Sequence, residues 1–400
     1  MLFPRDHDEE YQMPLTGLRV VDLTRILAGP LATMMLGDMG ADVIKIERPG
    51  TGDDARGWGP PFVDGVSTYF LSVNRNKRSL TLDLKSAAGR ALLWELIDNA
   101  DVLVSNFRVG LMDELGFSFE KVAARAPACV YALINGYGRS GERSGKTSFD
   151  LVIQAQSGLM DLTGFPDGPP TKVGISVADE IAGLYLVQGI LLALLERQRT
   201  GRGQLVEVAL HDALLSMFTF QAQGWLSAAS RPRRMGNLHP SIVPYETFEA
   251  ADGVLVVGVA NERIWARFCE VVERSDLRID ERFVNNAQRV AHREQLAEQL
   301  LPIFRRRTVA HWERQLGSVG VPCGRVRTLH QVLDQERDAD RDMVVTVDGM
   351  EMLGVPVKLS SSPGAVRSGP PALGQHTEAI LGELGHTEEE ITAWRAACII

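Results

Sequence analysis

Short apolar runs separated by amphipathic stretches of helical length constrain this chain more than any other feature, because parallel strands need a long crossover and that crossover is usually a helix. Residues 17–23 read as a buried strand, 30–39 as a helix with Pro30 in its first turn, and 42–47 as a second strand. The pattern then repeats, with a strand at 79–84, a helix opened by Ser86 and running to about Asn99, and strands at 102–104, 130–134 and 206–210. The longest helical signal covers 179–197. It is apolar nearly all round from Ile181 to Leu195, which predicts burial on most sides, and the turn around Gly201 and Gly203 ends it. The chain is therefore of the α/β class, with a mainly parallel sheet covered by helices on both faces.

A chain of 400 residues, 45% of them hydrophobic, exceeds one typical domain. Composition shifts near Arg231, where a basic, turn-rich stretch leads to a new strand at 254–259. The expected division is a large unit over 14–225, a smaller α+β unit over 226–326, and a segment over 327–400 that links them and returns to the large unit. Pro363, Pro370 and Pro371 mark extended chain in that last segment, and a final helix begins near Thr387.

Several classes of function are excluded by what is missing. No apolar run reaches the length needed to cross a bilayer, and the first ten residues are acidic and polar, unlike an export signal, so a cytoplasmic protein with no membrane partner is expected. Cys129, Cys269, Cys323 and Cys398 form no C-x-x-C pair, which argues against a disulfide framework or a structural metal. A net charge of -9 argues against nucleic acid as a partner. The turn after the first strand, from Thr24 to Pro30, lacks Gly-x-Gly-x-x-Gly, and Pro30 removes a backbone donor, so no nicotinamide cofactor is expected.

Cations recur near strand boundaries at Arg48, Arg75, Lys77, Arg78, Lys85 and Arg108. In a parallel sheet strand ends collect at one edge, where these groups would surround a phosphate-bearing ligand; the alternative is a set of solvated charges. Asp179 stands at the expected start of the apolar helix, where an Asp is ordinarily an N-cap. The same position suits a nucleophile, since Ala182 and Gly183 leave room for an acyl group. His211, His239 and His376 read as structural residues.

The segments Leu15 to Leu23, Gly40 to Gly50, Asn76 to Leu80, Asn106-Phe107-Arg108, Ala178-Asp179 and Thr200 to Gln204 are each modest signals, but their order and spacing are specific. Together they resemble the class III coenzyme A transferases, the group that includes formyl-CoA transferase and carnitine CoA-transferase, over nearly the whole chain. The resemblance implies interlocked ring-shaped homodimers, each subunit having a Rossmann-like large domain built from both termini and a smaller domain between. It implies coenzyme A and acyl-CoA as substrates, small carboxylic acids as the other partners, and Asp179 as the nucleophile. Positions lining CoA would be Leu27, Ala28, Arg48, Leu82, Asp83, Leu84, Lys85, Asn106, Phe107, Arg108, Lys146, Thr147, Ser148 and Phe149. Asp150 matches an acidic residue near the site in relatives, and the backbone donors for oxyanions are expected either at the start of the helix at Asp179 or in the segment Val257 to Asn261, with Gly258.

By the same resemblance, Asp179 takes the acyl group as an anhydride, becomes a CoA thioester, and passes CoA to the acceptor acid, with succinyl-CoA a fitting donor. Leu27 stands where oxalate-using relatives have Gln, and the glycine run is reduced to Gly258, so a formyl or oxalyl substrate is not expected. Acyl-CoA racemases share the fold but use a His where this chain has Phe149, which cannot shuttle a proton. A CoA-binding relative without turnover is the remaining alternative, and the presence of Asp179 weighs against it.

Overall fold

The structure, a computed structural model, describes residues 12–400; the reading of the first ten residues as unlike an export signal lies outside the described residues. The chain divides into two compact units. The first comprises the chain up to Ser157, Val173–Phe220 and Glu336–Ile400, and the second comprises Gly158–Lys172 and Gln221–Gln335.

The first unit holds a six-stranded parallel sheet. Its strands in chain order are β1 (Arg19–Asp22), β2 (Asp42–Glu47), β5 (Lys77–Thr81), β6 (Val102–Ser105), β7 (Val130–Asn135) and β8 (Leu205–Ala209), with a small hairpin of β3 (Phe62–Val63) and β4 (Val66–Ser67) inserted before β5. The spatial order is β5-β2-β1-β6-β7-β8 and every pairing is parallel. The chain thus winds outward from β1 in one direction, then returns to β6 and winds outward in the other. Such a reversal leaves a crevice beyond the carboxyl ends of β1 and β6, the place where ligands of doubly wound sheets sit.

Sequence explains the helix boundaries locally. Ser86 caps the helix Ala87–Asp98, its hydroxyl accepting from the Gly89 N–H at 2.9 Å. Gly201, left-handed at φ 69°, closes the long helix Val177–Thr200. Gly203 has a different reason to be glycine. A Cβ there would lie 2.0 Å from the Cys129 carbonyl oxygen, so the chain enters β8 only by passing directly against the β7 approach.

The long helix corrects two expectations. It buries Ala178, Ala182, Leu186 and Ile190 on one side, where it packs on the helix Ala28–Asp38 and on β7 and β8, but Leu192 and Leu195 on the other side remain 58% and 63% exposed. Burial is one-sided because, among the described residues, its close neighbours stand on one side. The helix is also long and apolar enough to cross a bilayer by length and composition, because its charges are confined to its ends.

The final segment runs along β5, the edge strand. His376 N donates to Ser79 O at 2.9 Å while its Nδ1 accepts from Ser79 N at 3.2 Å, and Asp83 N donates to Ile399 O at 2.7 Å. An open strand edge is thereby covered.

The second unit is a three-stranded antiparallel sheet ordered β11-β10-β9, from β9 (Tyr245–Ala250), β10 (Gly253–Gly258) and β11 (Cys323–Arg325). Phe248, Leu255 and Val257 of one face pack with Trp265, Phe268, Phe304 and Trp312 from three helices. The segment Gly158–Lys172, which the sequence reading places in the large unit, belongs here: Gly236 N donates to Gly164 O at 2.8 Å, and the Arg234 guanidinium donates to the carbonyls of Asp161 and Gly168.

Beneath the β1 and β2 ends of the large sheet lies a fully buried ionic network. Asp22 accepts from Thr24 N (2.8 Å), Thr33 Oγ1 (2.6 Å) and Lys77 Nζ (3.1 Å). Burial would raise the Asp22 carboxyl, but the Lys77 and Lys45 ammonium groups overcome it and hold it below the ordinary value. Lys77 is therefore not at the ligand edge. It begins β5, level with Val43, and its long side chain reaches inward to Asp22; Arg75 is likewise buried against Asp38 (3.0 and 2.7 Å). Lys77→Met should lower stability by about 3–5 kcal/mol by leaving Asp22 without its nearest counter-charge. Urea unfolding should show this as a reduced midpoint at an unchanged slope.

Candidate active site

The crevice at the reversal is built on the turn that follows β1. Asn106, just beyond β6, accepts from Arg25 N at 2.9 Å and donates from Nδ2 to Arg25 O at 2.6 Å, tying the two diverging halves together. Asp53 accepts from Ile26 N at 3.1 Å and from Lys45 Nζ at 2.9 Å, and Lys45 in turn donates to Thr24 O at 2.8 Å. Ile26 is held at φ 74°, a left-handed conformation costly for a β-branched residue, so the Asp53 carboxylate holds this turn against local strain.

A cleft of about 470 Å³ opens on this turn. Its basic wall carries Arg25, Arg48 and Lys85, its apolar wall Phe107, Leu111 and Leu115, and Cys398 from the far end of the chain stands at its border. The Arg25 guanidinium lies 5.3 Å from the Phe107 ring centroid. Cations beside an aromatic ring at the carboxyl edge of a parallel sheet suit an adenine nucleotide diphosphate, which is what the nucleotide end of CoA presents.

A second focus forms at the start of the long helix. Asp179 is the third helical residue, not the N-cap: Ser176 occupies that position without a side-chain cap bond. The capping comes from outside, because Asp150 Oδ1 accepts from Ala178 N at 2.8 Å while its Oδ2 accepts from Gln154 Nε2 at 2.6 Å. Among the described residues no group donates a hydrogen bond to Asp179, and burial, then Asp150, then Glu180 push its carboxyl up to about 7. Tyr69, from the short helix Thr68–Ser72, faces the same carboxylate; burial and then Asp179 raise its phenol to about 12, so it keeps its proton. Trp58 completes an aromatic border, 5.5 Å from Tyr69 and 6.4 Å from Phe149 between ring centroids.

The two foci meet at the start of the helix Ala28–Asp38. A Cβ on Gly183, one turn after Asp179, would come within 2.9 Å of the Ala28 carbonyl oxygen, so glycine is required for this approach. Leu27 and Ala28 therefore join the cleft turn at Arg25 to the helix that carries Asp179.

Of the residues singled out in sequence, Arg48, Leu82, Asp83, Leu84, Lys85 and Phe107 are brought together in the cleft. Asn106 supports its floor. Arg108 instead borders a neighbouring hollow and pairs with Glu114 at 2.6 Å. Lys146, Thr147 and Phe149 are exposed on the loop leading to Asp150, and Ser148 sits against Gly136. Gly258 ends β10 and Asn261 caps the helix Glu262–Val271 through Ile264 N at 3.0 Å, both in the second unit. Sequence reasoning missed Arg25, Asp53, Trp58 and Tyr69. The adjacent acidic pair after Gly52 and the lone Trp in a turn-rich stretch were the available signals. Among the described residues no group of three or more His, Cys, Asp or Glu side chains is placed to hold a metal ion.

Comparison with known proteins finds relatives along nearly the whole chain. The chain is 38% identical to the succinyl-CoA:glutarate CoA-transferase of Mus musculus, over 96% of this chain and 89% of that protein. It is also 38% identical to the acetyl-CoA:oxalate CoA-transferase of Acetobacter aceti, over 94% of this chain and 97% of that protein. The crystal structure of a CAIB/BAIF family protein from Brucella suis superimposes with a TM-score of 0.84 at 38% identity, covering 93% of this chain and all of that one. Residues 15–377 match the family described as CoA-transferase family III, and the chain belongs to that family as a CoA transferase.

Proposed function

We propose that the chain moves CoA from succinyl-CoA to a second small carboxylic acid through covalent adducts on Asp179. The observation that carries this reading is a half-buried carboxylate with raised proton affinity and no donor to satisfy it. A carboxylate of that kind is a better nucleophile than one near pH 4 would be, and it is still substantially ionised at neutral pH.

The nucleotide end of CoA would lie against Arg25, Arg48, Lys85 and Phe107, and the thioester would reach Asp179 past Leu27 and Ala28. An Asp179 oxygen attacks the thioester carbonyl carbon, the C–S bond breaks, and the CoA thiolate leaves. The result is a mixed anhydride. The thiolate then attacks the Asp179 side-chain carbonyl, releasing the donor acid as its carboxylate and leaving Asp179 as a CoA thioester. The acceptor carboxylate attacks that thioester and the thiolate attacks the acceptor acyl carbon, which regenerates the Asp179 carboxylate with no net proton change. Each intermediate stays about as activated as a thioester, so water must be kept away. Tyr69, protonated at any working pH, is the donor we assign to the developing oxyanions.

The acid is narrowed less than the chemistry. The mouse relative is named for succinyl-CoA and glutarate and the Acetobacter relative for acetyl-CoA and oxalate, at equal identity to this chain. Leu27 and the Trp58, Tyr69 and Phe149 border favour an acid with a methylene chain over oxalate. A homodimer is part of the same reading, supported by the apolar side of the long helix at Leu184, Leu191, Leu192 and Leu195, which the described residues leave 41–63% exposed.

Asp179→Ala should reduce CoA exchange by at least about a thousandfold while leaving CoA binding measurable by calorimetry. Hydroxylamine added after acyl-CoA should place a hydroxamate on Asp179, read by mass; a variant that still exchanges CoA would sink the covalent route. The rate should rise with pH to a plateau with its midpoint at about 7, because the ionised carboxylate is the reactive form. Asp150→Asn, which keeps the acceptor for Ala178 N but removes a negative charge, should move that midpoint down.

The same shift predicts a stability effect of opposite sense. The folded carboxyl titrates at about 7 against 3.8 for the ordinary group, so the native state binds this proton more tightly and loses stability as pH rises between those values. Asp179→Asn should therefore melt higher than the wild type at about pH 8, with the gap closing toward about pH 4.

A further inference from the structure

Arg25 and Arg48 share one carboxylate. Asp54 Oδ2 accepts from Arg25 Nη1 at 3.1 Å, and its Oδ1 accepts from Arg48 Nη2. Both arginines belong to the basic wall of the cleft. Each arginine also has other partners: the Arg25 N–H donates to Asn106 and its guanidinium lies over the Phe107 ring, while the Arg48 guanidinium donates from Nε and Nη2 to Gly52 O at 3.4 and 3.3 Å. Arg25 Nε is buried and, among the described residues, has no hydrogen-bond partner.

Asp54 differs sharply from the residue before it. Asp53 has a fully buried side chain locked by Lys45, Ile26 N and Ala55 N, and it cannot leave without breaking the turn. Asp54 has a side chain 41% exposed, and both of its ion pairs face water. Such pairs are weak and exchange readily. Guanidinium forks bind carboxylate and phosphate oxygens by the same donors, so an anionic ligand entering the basic wall meets arginines already engaged by Asp54.

We propose that Asp54 is a built-in competitor for the phosphate groups of CoA, displaced as the nucleotide docks and returned to Arg25 and Arg48 as the product leaves. The inference rests on the reading above that the nucleotide end of CoA occupies this cleft. Asp54 keeps the two guanidinium groups paired in the absence of substrate and weakens substrate and product equally. Uniform weakening of this kind raises KM without altering the chemical barrier, and it favours release of the CoA ester that every turnover must discharge.

Calorimetric titration with CoA tests this on the full chain. Asp54→Asn should bind CoA roughly three- to twentyfold more tightly, the sum of two exposed ion pairs, with a steeper loss of affinity on adding salt. KM for the acyl-CoA should fall by a similar factor with no rise in kcat. Asp54→Glu, which restores the charge, should return affinity toward the wild type. Unchanged or weaker CoA binding by Asp54→Asn, alongside weaker binding by Arg48→Ala, would show that Asp54 organises the arginines instead of competing for them, and the proposal alone would fall. Arg48→Ala binding CoA as tightly as the wild type would remove the nucleotide from this cleft, and the proposal would fall with that reading.

Discussion

Two buried lysines hold the first unit in a shape that can present a ligand. Lys77 and Lys45 reach Asp22 and Asp53 from adjacent strands, with all four side chains fully buried, and the turn after β1 hangs on that network through Thr24 O and Ile26 N. Charges so deep are tolerated only because each oxygen and each ammonium has partners. Ile26 in a left-handed conformation records the strain that the network sustains. The basic wall of the cleft, the approach of Ala28 to Gly183 and hence the placement of the long helix all follow from where this turn is held.

The same economy of position is visible at the helix start. Glu47 joins the network from β2 through Arg56, Ser79 and the Asp53 N–H, so one edge of the sheet is tied by charge to the segment that supplies Trp58. On the other side, Asp150 reaches across from a separate helix to satisfy Ala178 N. The groups that line the cleft and those that surround Asp179 therefore come from different stretches of sequence, yet each is referenced to one sheet.

Periodicity made the sheet, its parallel sense and most helix ends legible, because short apolar runs bounded by Ser86 or Gly201 leave little choice. Side-chain roles were less legible wherever the partner is distant in sequence. Asp179 resembled an N-cap because the carboxylate that satisfies the helix start, Asp150, lies 28 residues before Ala178. Lys77 looked like an edge cation because strand register, which puts it beside Val43, is not written in the residue itself. The long helix looked buried all round because composition shows how much apolar surface exists and not where its neighbours lie. Asp53 and Asp54 are chemically alike and adjacent, and only their exposure separates a fixed anchor from an exchangeable one.

Asp150 stitches the long helix to its neighbour and, in the same act, crowds a second negative charge against Asp179. The raised proton affinity of Asp179 is consequently installed when the chain folds, before any ligand arrives, and folding cannot finish without winding that spring. A chain relaxed enough to let Asp179 titrate like a surface carboxylate would also be one whose longest helix had come unfastened.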